Sequence, residues 1–336
     1  MAAQAAAART RAAPVAAAVP AKPAMTGALE LSREFFERTA KAKLTEDFPE
    51  DYPRIAAGLV GNGSECFGYD DELSRDHDWG IDFFLWVPEE DRRLVEPLNE
   101  WKRKLLDSHF DKPIRRRSGM GAFVGAMTVG DFYSSLIGYP EGPKTLQEWR
   151  SIPQENLALS VNGEVFADPL GQFTAVREYL LRFYPEQLRL KKIAARCMAI
   201  AQTGQYNFHR CIKREDWVTF RTVLSLFSDE VMGLVFLLNR VYKPYYKWAW
   251  RRLCELPVLG GPIAAELLTL SKLSGLDAKT FKEQEECISR ICTLLISELK
   301  NQGLSDLDDL FLAAHGLEIQ AGISDAYLRR LPPQYE

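Results

Sequence analysis

Residues 61–80 read GNGSECFGYDDELSRDHDWG, and the side chains best able to do chemistry concentrate there. Gly63-Ser64 follows an apolar run at 55–60. After eleven intervening residues, Asp76-His77-Asp78 precedes a second apolar run at 80–87. A glycine-rich turn leaving a strand can aim several backbone N–H groups at phosphate oxygens, and Ser64 adds a hydroxyl. Asp76 and Asp78, two residues apart at a strand entrance, place both carboxylates on one face. Carboxylates that close disfavour each other's ionisation unless a divalent cation lies between them. Magnesium bound by one or two carboxylates plus substrate phosphates is the usual arrangement in triphosphate chemistry. His77 falls on the opposite face with Ile81 and Phe83 and reads as structural. Two commoner phosphate motifs fail here: Cys66 stands where G-x-G-x-x-G needs glycine, and no Gly-Lys-Ser/Thr follows.

The elements that must position this segment alternate. Residues 32–43 form an amphipathic pattern that predicts a helix, 55–60 a short strand, 80–87 a strand buried on both faces, 89–106 a helix and 122–129 a third strand. After Gly171 the pattern is helical throughout. Leu190, Ile193, Ala194, Cys197 and Ala201 repeat one face, and a longer stripe runs from Trp217 to Leu238. Such stripes are core, so the second half reads as a helical bundle. The expected fold class is α+β, a small mixed-sheet domain at 26–168 followed by an all-α domain at 169–336. Residues 1–25 hold thirteen alanines, three prolines and no acid. They read as a disordered leader, with a transit peptide as the alternative and Met25 as the possible true start.

Strand, Gly-Ser, about a dozen residues, Asp-x-Asp, strand resembles the signature of the polymerase-beta-like nucleotidyltransferase superfamily, which includes antibiotic and toxin–antitoxin nucleotidyltransferases. The longer text, Gly63-Ser64 with Gly68, Asp70-Asp71, Ser74, Asp76-His77-Asp78 and Trp79, looks like a bacterial branch of unknown function. So does Gly163-Glu164-Val165-Phe166 with Asp168, Gly171, Arg210 and the run from Tyr242 to Trp248. The resemblance implies that Gly63 and Ser64 bind nucleotide phosphates and that Asp76 and Asp78 bind Mg2+. It further implies nucleotidyl transfer: an acceptor hydroxyl attacks the α-phosphorus of ATP or another NTP and pyrophosphate leaves. Acceptors rank as an aminoglycoside-like small molecule, then a tRNA end or a protein side chain.

Many members of that superfamily carry a third acid on the next strand, and residues 123–129 contain none. Asp168 is the first candidate to replace it as catalytic acid or base, with a turn-forming role before Pro169 as the alternative. Glu164, Glu215 and Asp216 follow, the last two suiting a helix start. Asp82 shares parity with Asp76 and Asp78 but ranks below them. Asp70, Asp71 and Glu72 read as the solvated face of a short helix after Ser64. The missing acid also keeps open a second class of function, a regulatory module that binds nucleotide without turnover.

A triphosphate needs cations. Lys247, among Tyr245, Tyr246, Trp248 and Trp250, is favoured, although an aromatic core segment with a snorkelling lysine fits the same text. Arg210 is a further cofactor-binding candidate. Arg115, Arg116 and Arg117 form the densest basic run and read as a solvated loop, or as a contact to acceptor or RNA.

Composition bounds the rest. Lys and Arg total 42 against 46 Asp and Glu, a net charge of -4 over 336 residues, which argues against a general nucleic-acid coat. No apolar run reaches the roughly 18 residues a membrane span needs. The six cysteines form no C-x-x-C pair and read as buried free thiols in a reducing cytoplasm.

Overall fold

The computed structural model describes residues 27–76, 79–111 and 124–336, the side chains of Arg75 and Asp76 excepted. The fold is α+β. Its sheet holds β1 (Ala56–Leu59), β2 (Phe84–Val87), β3 (Ala126–Thr128) and β4 (Glu164–Ala167) in the order β3-β2-β1-β4. β1 runs antiparallel to both β2 and β4, and β2 runs parallel to β3.

Strand periodicity sorts the side chains into two layers. Phe83, Leu85 and Val87 join Ile55 and Ala57 on one face, where α1 (Ala28–Phe35), a π-helical stretch (Phe36–Ala40), α2 (Lys41–Asp47) and α3 (Val95–His109) supply Phe36, Leu44 and Leu98. Phe84 and Trp86 turn to the other face, against Phe132 of α4 (Val129–Ile137). Both faces are therefore buried, which explains the nearly unbroken apolar run.

Beyond α4 come α5 (Leu146–Ser151), α6 (Gln154–Val161), α7 (Gln172–Leu181) and α8 (Glu186–Ile200). Phe173 of α7 stacks on Trp86 with ring centroids 3.8 Å apart, so one continuous core joins the sheet to the helical region. α9 (Phe208–Arg214), α10 (Trp217–Leu238), α11 (Tyr246–Cys254), α12 (Gly260–Lys272), α13 (Ala278–Asn301), α14 (Leu312–Ala321) and α15 (Ala326–Arg330) complete it. The stripe from Trp217 to Leu238 is α10, its start capped by Asp216, which accepts from Thr219 N–H. Cys66, Cys197, Cys211, Cys287 and Cys292 are buried free thiols, and Cys254 is half-buried. Among the described residues no helix is long and apolar enough to cross a membrane.

Several elements differ from the pattern. The strand expected over 80–87 pairs only from Phe84, because Asp82 is drawn into an ion pair with Lys102. The helix expected from residue 89 begins as a 3-10 turn, Glu89–Leu94, and becomes α-helical at Val95, with Pro97 tolerated in the first turn. β3 ends at Thr128 because that hydroxyl accepts from Asp131 N–H and starts α4. Residues 122 and 123 of that expected strand lie outside the described residues. Asp70 is not solvated: it is buried and accepts from Ala28 N–H and the Trp79 indole, each at 2.8 Å.

Candidate functional site

The ladder sets the geometry. Gly58 pairs with Phe84 and Leu59 with Glu164, so the exit of β1, the entrance of β2 and the start of β4 meet at one end of the sheet. Gly63 and Ser64 leave β1 at that end, and the segment leading to Trp79 returns to it. Asp76 closes a 3-10 helix, Glu72–Asp76. Its side chain lies outside the described residues, as do His77, Asp78, Arg115, Arg116 and Arg117.

The loop is held from outside itself. Asn162 donates to Gly61 O and accepts from Gly61 N–H, both at 2.7 Å. Gly163 N–H donates to Cys66 O at 2.7 Å. Arg177, half-buried so that desolvation lowers its pKa, donates to the carbonyls of Val161, Asn162 and Gly163 and fixes the clamp. Gly63 holds φ of 127°, and a Cβ there would run into the Glu65 carboxylate. No described residue accepts from the N–H groups of Asn62, Gly63 and Ser64, and the Ser64 hydroxyl is likewise unpartnered among them. Three free donors and a hydroxyl on a pinned turn suit an oxyanion. Asn162 and Arg177 belong to no motif of their own; the Asn-Gly pair after an apolar run is their one signal in the sequence.

α11 docks beside this loop. Arg251 donates to Tyr69 O at 3.1 Å and lies 4.6 Å from the Tyr69 ring centre, while Trp248 packs on the same ring at 5.6 Å. The Tyr69 hydroxyl donates to Glu255 at 2.8 Å, and burial pushes its pKa well up. Lys247, one turn before Arg251, is exposed with its ammonium 5.0 Å from the Trp248 ring centre. A cavity of about 270 Å³ opens behind the loop, walled by Cys66, Phe67 and Tyr69 on one side and by Asn162, Tyr242 and Arg252 on the other.

Other sequence candidates sit elsewhere. Ala167 pairs with Ala57, so Asp168 leaves β4 at the opposite end of the sheet from Ser64, four residue steps or roughly 13 Å from Glu164. Its carboxylate accepts from Thr174 N–H at 2.8 Å in the first turn of α7. The ladder does not bring Asp168 to the loop. It does bring Glu164, half-exposed and 3.5 Å from Arg33. Glu215 occupies a left-handed turn at the end of α9, and Asp216 is a helix cap. Arg210 is exposed on α9 and covers the Tyr206 ring at 5.0 Å. Among the described residues no group of three or more His, Cys, Asp or Glu side chains could hold a metal ion.

A family model described as Domain of unknown function (DUF4037) matches residues 149–249, which run from α5 into α11. No curated protein matches the sequence. Among solved structures the chain is similar to a nucleotidyltransferase-like protein from Exiguobacterium sibiricum 255-15. The two share 13% identity with a TM-score of 0.33 over 80% of each chain.

Proposed function

We propose that the chain is a nucleotidyltransferase that moves NMP from an NTP, ATP being the first choice, to a hydroxyl of a small-molecule acceptor. The observation that carries this reading is the clamped loop, which lies at the same end of the sheet as the β2 entrance and whose N–H groups at Asn62, Gly63 and Ser64 have no acceptor among the described residues.

The loop donors and the Ser64 hydroxyl hold the polyphosphate. Asp76 and Asp78 offer the hard oxygen ligands that suit Mg2+, which when bound neutralises charge on the triphosphate. The cavity between Tyr69 and Tyr242 takes the acceptor and orients its hydroxyl. Glu164, at the loop end of β4, shares the face of Phe166 and meets Arg33 of α1, so it steadies α1 against the sheet and does not reach an acceptor in that cavity. Most of the rate enhancement in such a site is positioning and electrostatics.

Incubation with labelled NTPs, magnesium and candidate acceptors should yield labelled product and pyrophosphate. Asp76→Asn and Asp78→Asn should abolish both while leaving the melting temperature intact. Nucleotide binding without pyrophosphate in the wild type would favour the regulatory module. Full activity in both variants would remove the assignment.

A further inference from the structure

A second cavity, of about 530 Å³, lies between the α5–α6 turn, α8 and the segment 243–246. Its walls carry Arg150, Lys192, Arg196 and Lys243. Two of these have direct carboxylate partners: Lys243 lies 2.6 Å from Asp229, and Arg196 Nη1 lies 2.6 Å from Glu230.

Donors remain in surplus. Arg150 Nε, Gln154 Nε2 and Arg196 Nε are buried with no hydrogen-bond partner. Lys192 is only 6% exposed, and its ion-pair partner, Glu336 Oε2, stands 3.8 Å away, beyond hydrogen-bond reach. Glu336 sets its other oxygen on Arg196, while Oε2 is itself buried without a hydrogen bond. Unpaired donors and an unpaired carboxylate oxygen thus share this cavity, beside Glu155 and Asp229, and buried polar groups left unmade are costly.

We propose that this cavity binds a small molecule bearing a phosphate or carboxylate group, and that the Glu336 carboxylate is its internal competitor. A phosphate or carboxylate with a free choice of position can reach Lys192, Arg150 and Arg196 together, the planar bidentate geometry suiting the guanidinium groups. The volume far exceeds one oxyanion, so the ligand has a body. Tyr245 and Tyr246, 49% and 72% exposed with ring centroids 4.2 Å apart, offer that body an aromatic rim.

Calorimetric titration of the full chain with inorganic phosphate, and separately with acetate, tests this. Glu336→Ala and Glu336→Gln should each bind the preferred probe about tenfold more tightly than wild type. Adding Lys192→Met to Glu336→Ala should remove that gain, and Arg150→Gln serves the same purpose if the lysine variant fails to fold. Phosphate can also reach the loop, so the cavity is read from the gain on removing Glu336, which Ser64→Ala in the Glu336→Ala background should leave unchanged. Preference for phosphate identifies a phosphate ester as ligand, and preference for acetate a carboxylate. The proposal fails if removing the Glu336 charge brings no gain, or if Ser64→Ala abolishes a gain that Lys192→Met leaves intact.

Discussion

Lys102 Nζ lies 2.5 Å from Asp82 Oδ1, with the two side chains 5% and 2% exposed. Lys102 also donates to Val124 O at 2.8 Å, and Asp82 accepts from its neighbour's Phe83 N–H at 2.8 Å. The pair ties α3 to the chain entering β2 and so helps set the end of the sheet where Ser64 lies.

Removing either partner strands a charge out of water. Asp82→Asn and Lys102→Met should each lower unfolding stability by about 3–5 kcal/mol. The double variant Asp82→Leu/Lys102→Met should lose less than either single change, since no charge remains buried. Urea titration of the three variants checks this; equal losses in singles and double would mean that packing, not charge, carries the effect.

Much of the architecture was legible because it obeys one period at a time. α8, α10 and α13 each carry an apolar stripe, and β1 and β2 are short apolar runs with a glycine at one end and a proline near the other. The site was legible only in part, because its decisive relations are long-range. The hydrogen bonds between Asn162 and Gly61 span 101 residues, and nothing local to either announces them. Asp168 and Glu164 are close in sequence and similar in chemistry; only the pairing of β4 with β1 puts one beside the loop and the other away from it. Asp70 sits among acids that read as solvated, and its burial follows from contacts with Ala28 and Trp79.

Gly163 gives a test of the clamp. It holds φ of 61°, and a Cβ there would collide with Leu59 O on the neighbouring strand. Gly163→Ala therefore combines left-handed strain with overpacking against backbone, at a combined cost of about 2–5 kcal/mol. Chemical denaturation should show that loss. Unchanged stability would mean that β1 and β4 are not held in this register.

Lys191 offers a pH signature. It is fully buried and donates to Gln320 Oε1, Pro332 O and Pro333 O, and burial lowers its pKa from 10.5 to about 8. Between these values the unfolded chain keeps the proton that the folded chain has released. The unfolded state then binds more protons, so this group makes stability rise with pH across that window and leaves it flat below. Melting temperatures of wild type and Lys191→Met at pH 7, 8.5 and 10 isolate the effect. The difference between them should move in favour of wild type as pH rises. The opposite trend would show that the three acceptors hold the ammonium charged.

Lys247 should matter for nucleotide affinity more than for folding. Its ammonium is exposed and rests on the Trp248 ring, while Arg251 and Trp248 anchor the same helix on Tyr69, five residues after Ser64. A cation so placed contributes little to the empty protein, because water solvates it already. It contributes when a triphosphate arrives, since magnesium neutralises only part of that charge. Lys247→Ala should weaken magnesium–NTP binding by about 1.5–3 kcal/mol, or roughly 10- to 150-fold. Lys247→Met, which keeps the stem over Trp248, should show the same loss at an unchanged melting temperature. Arg251→Ala should lower melting temperature and affinity together, because it releases Tyr69. Calorimetric titration beside melting curves separates the three, and unchanged affinity in both Lys247 variants would move the phosphate contact to Arg210 or to Arg115, Arg116 and Arg117.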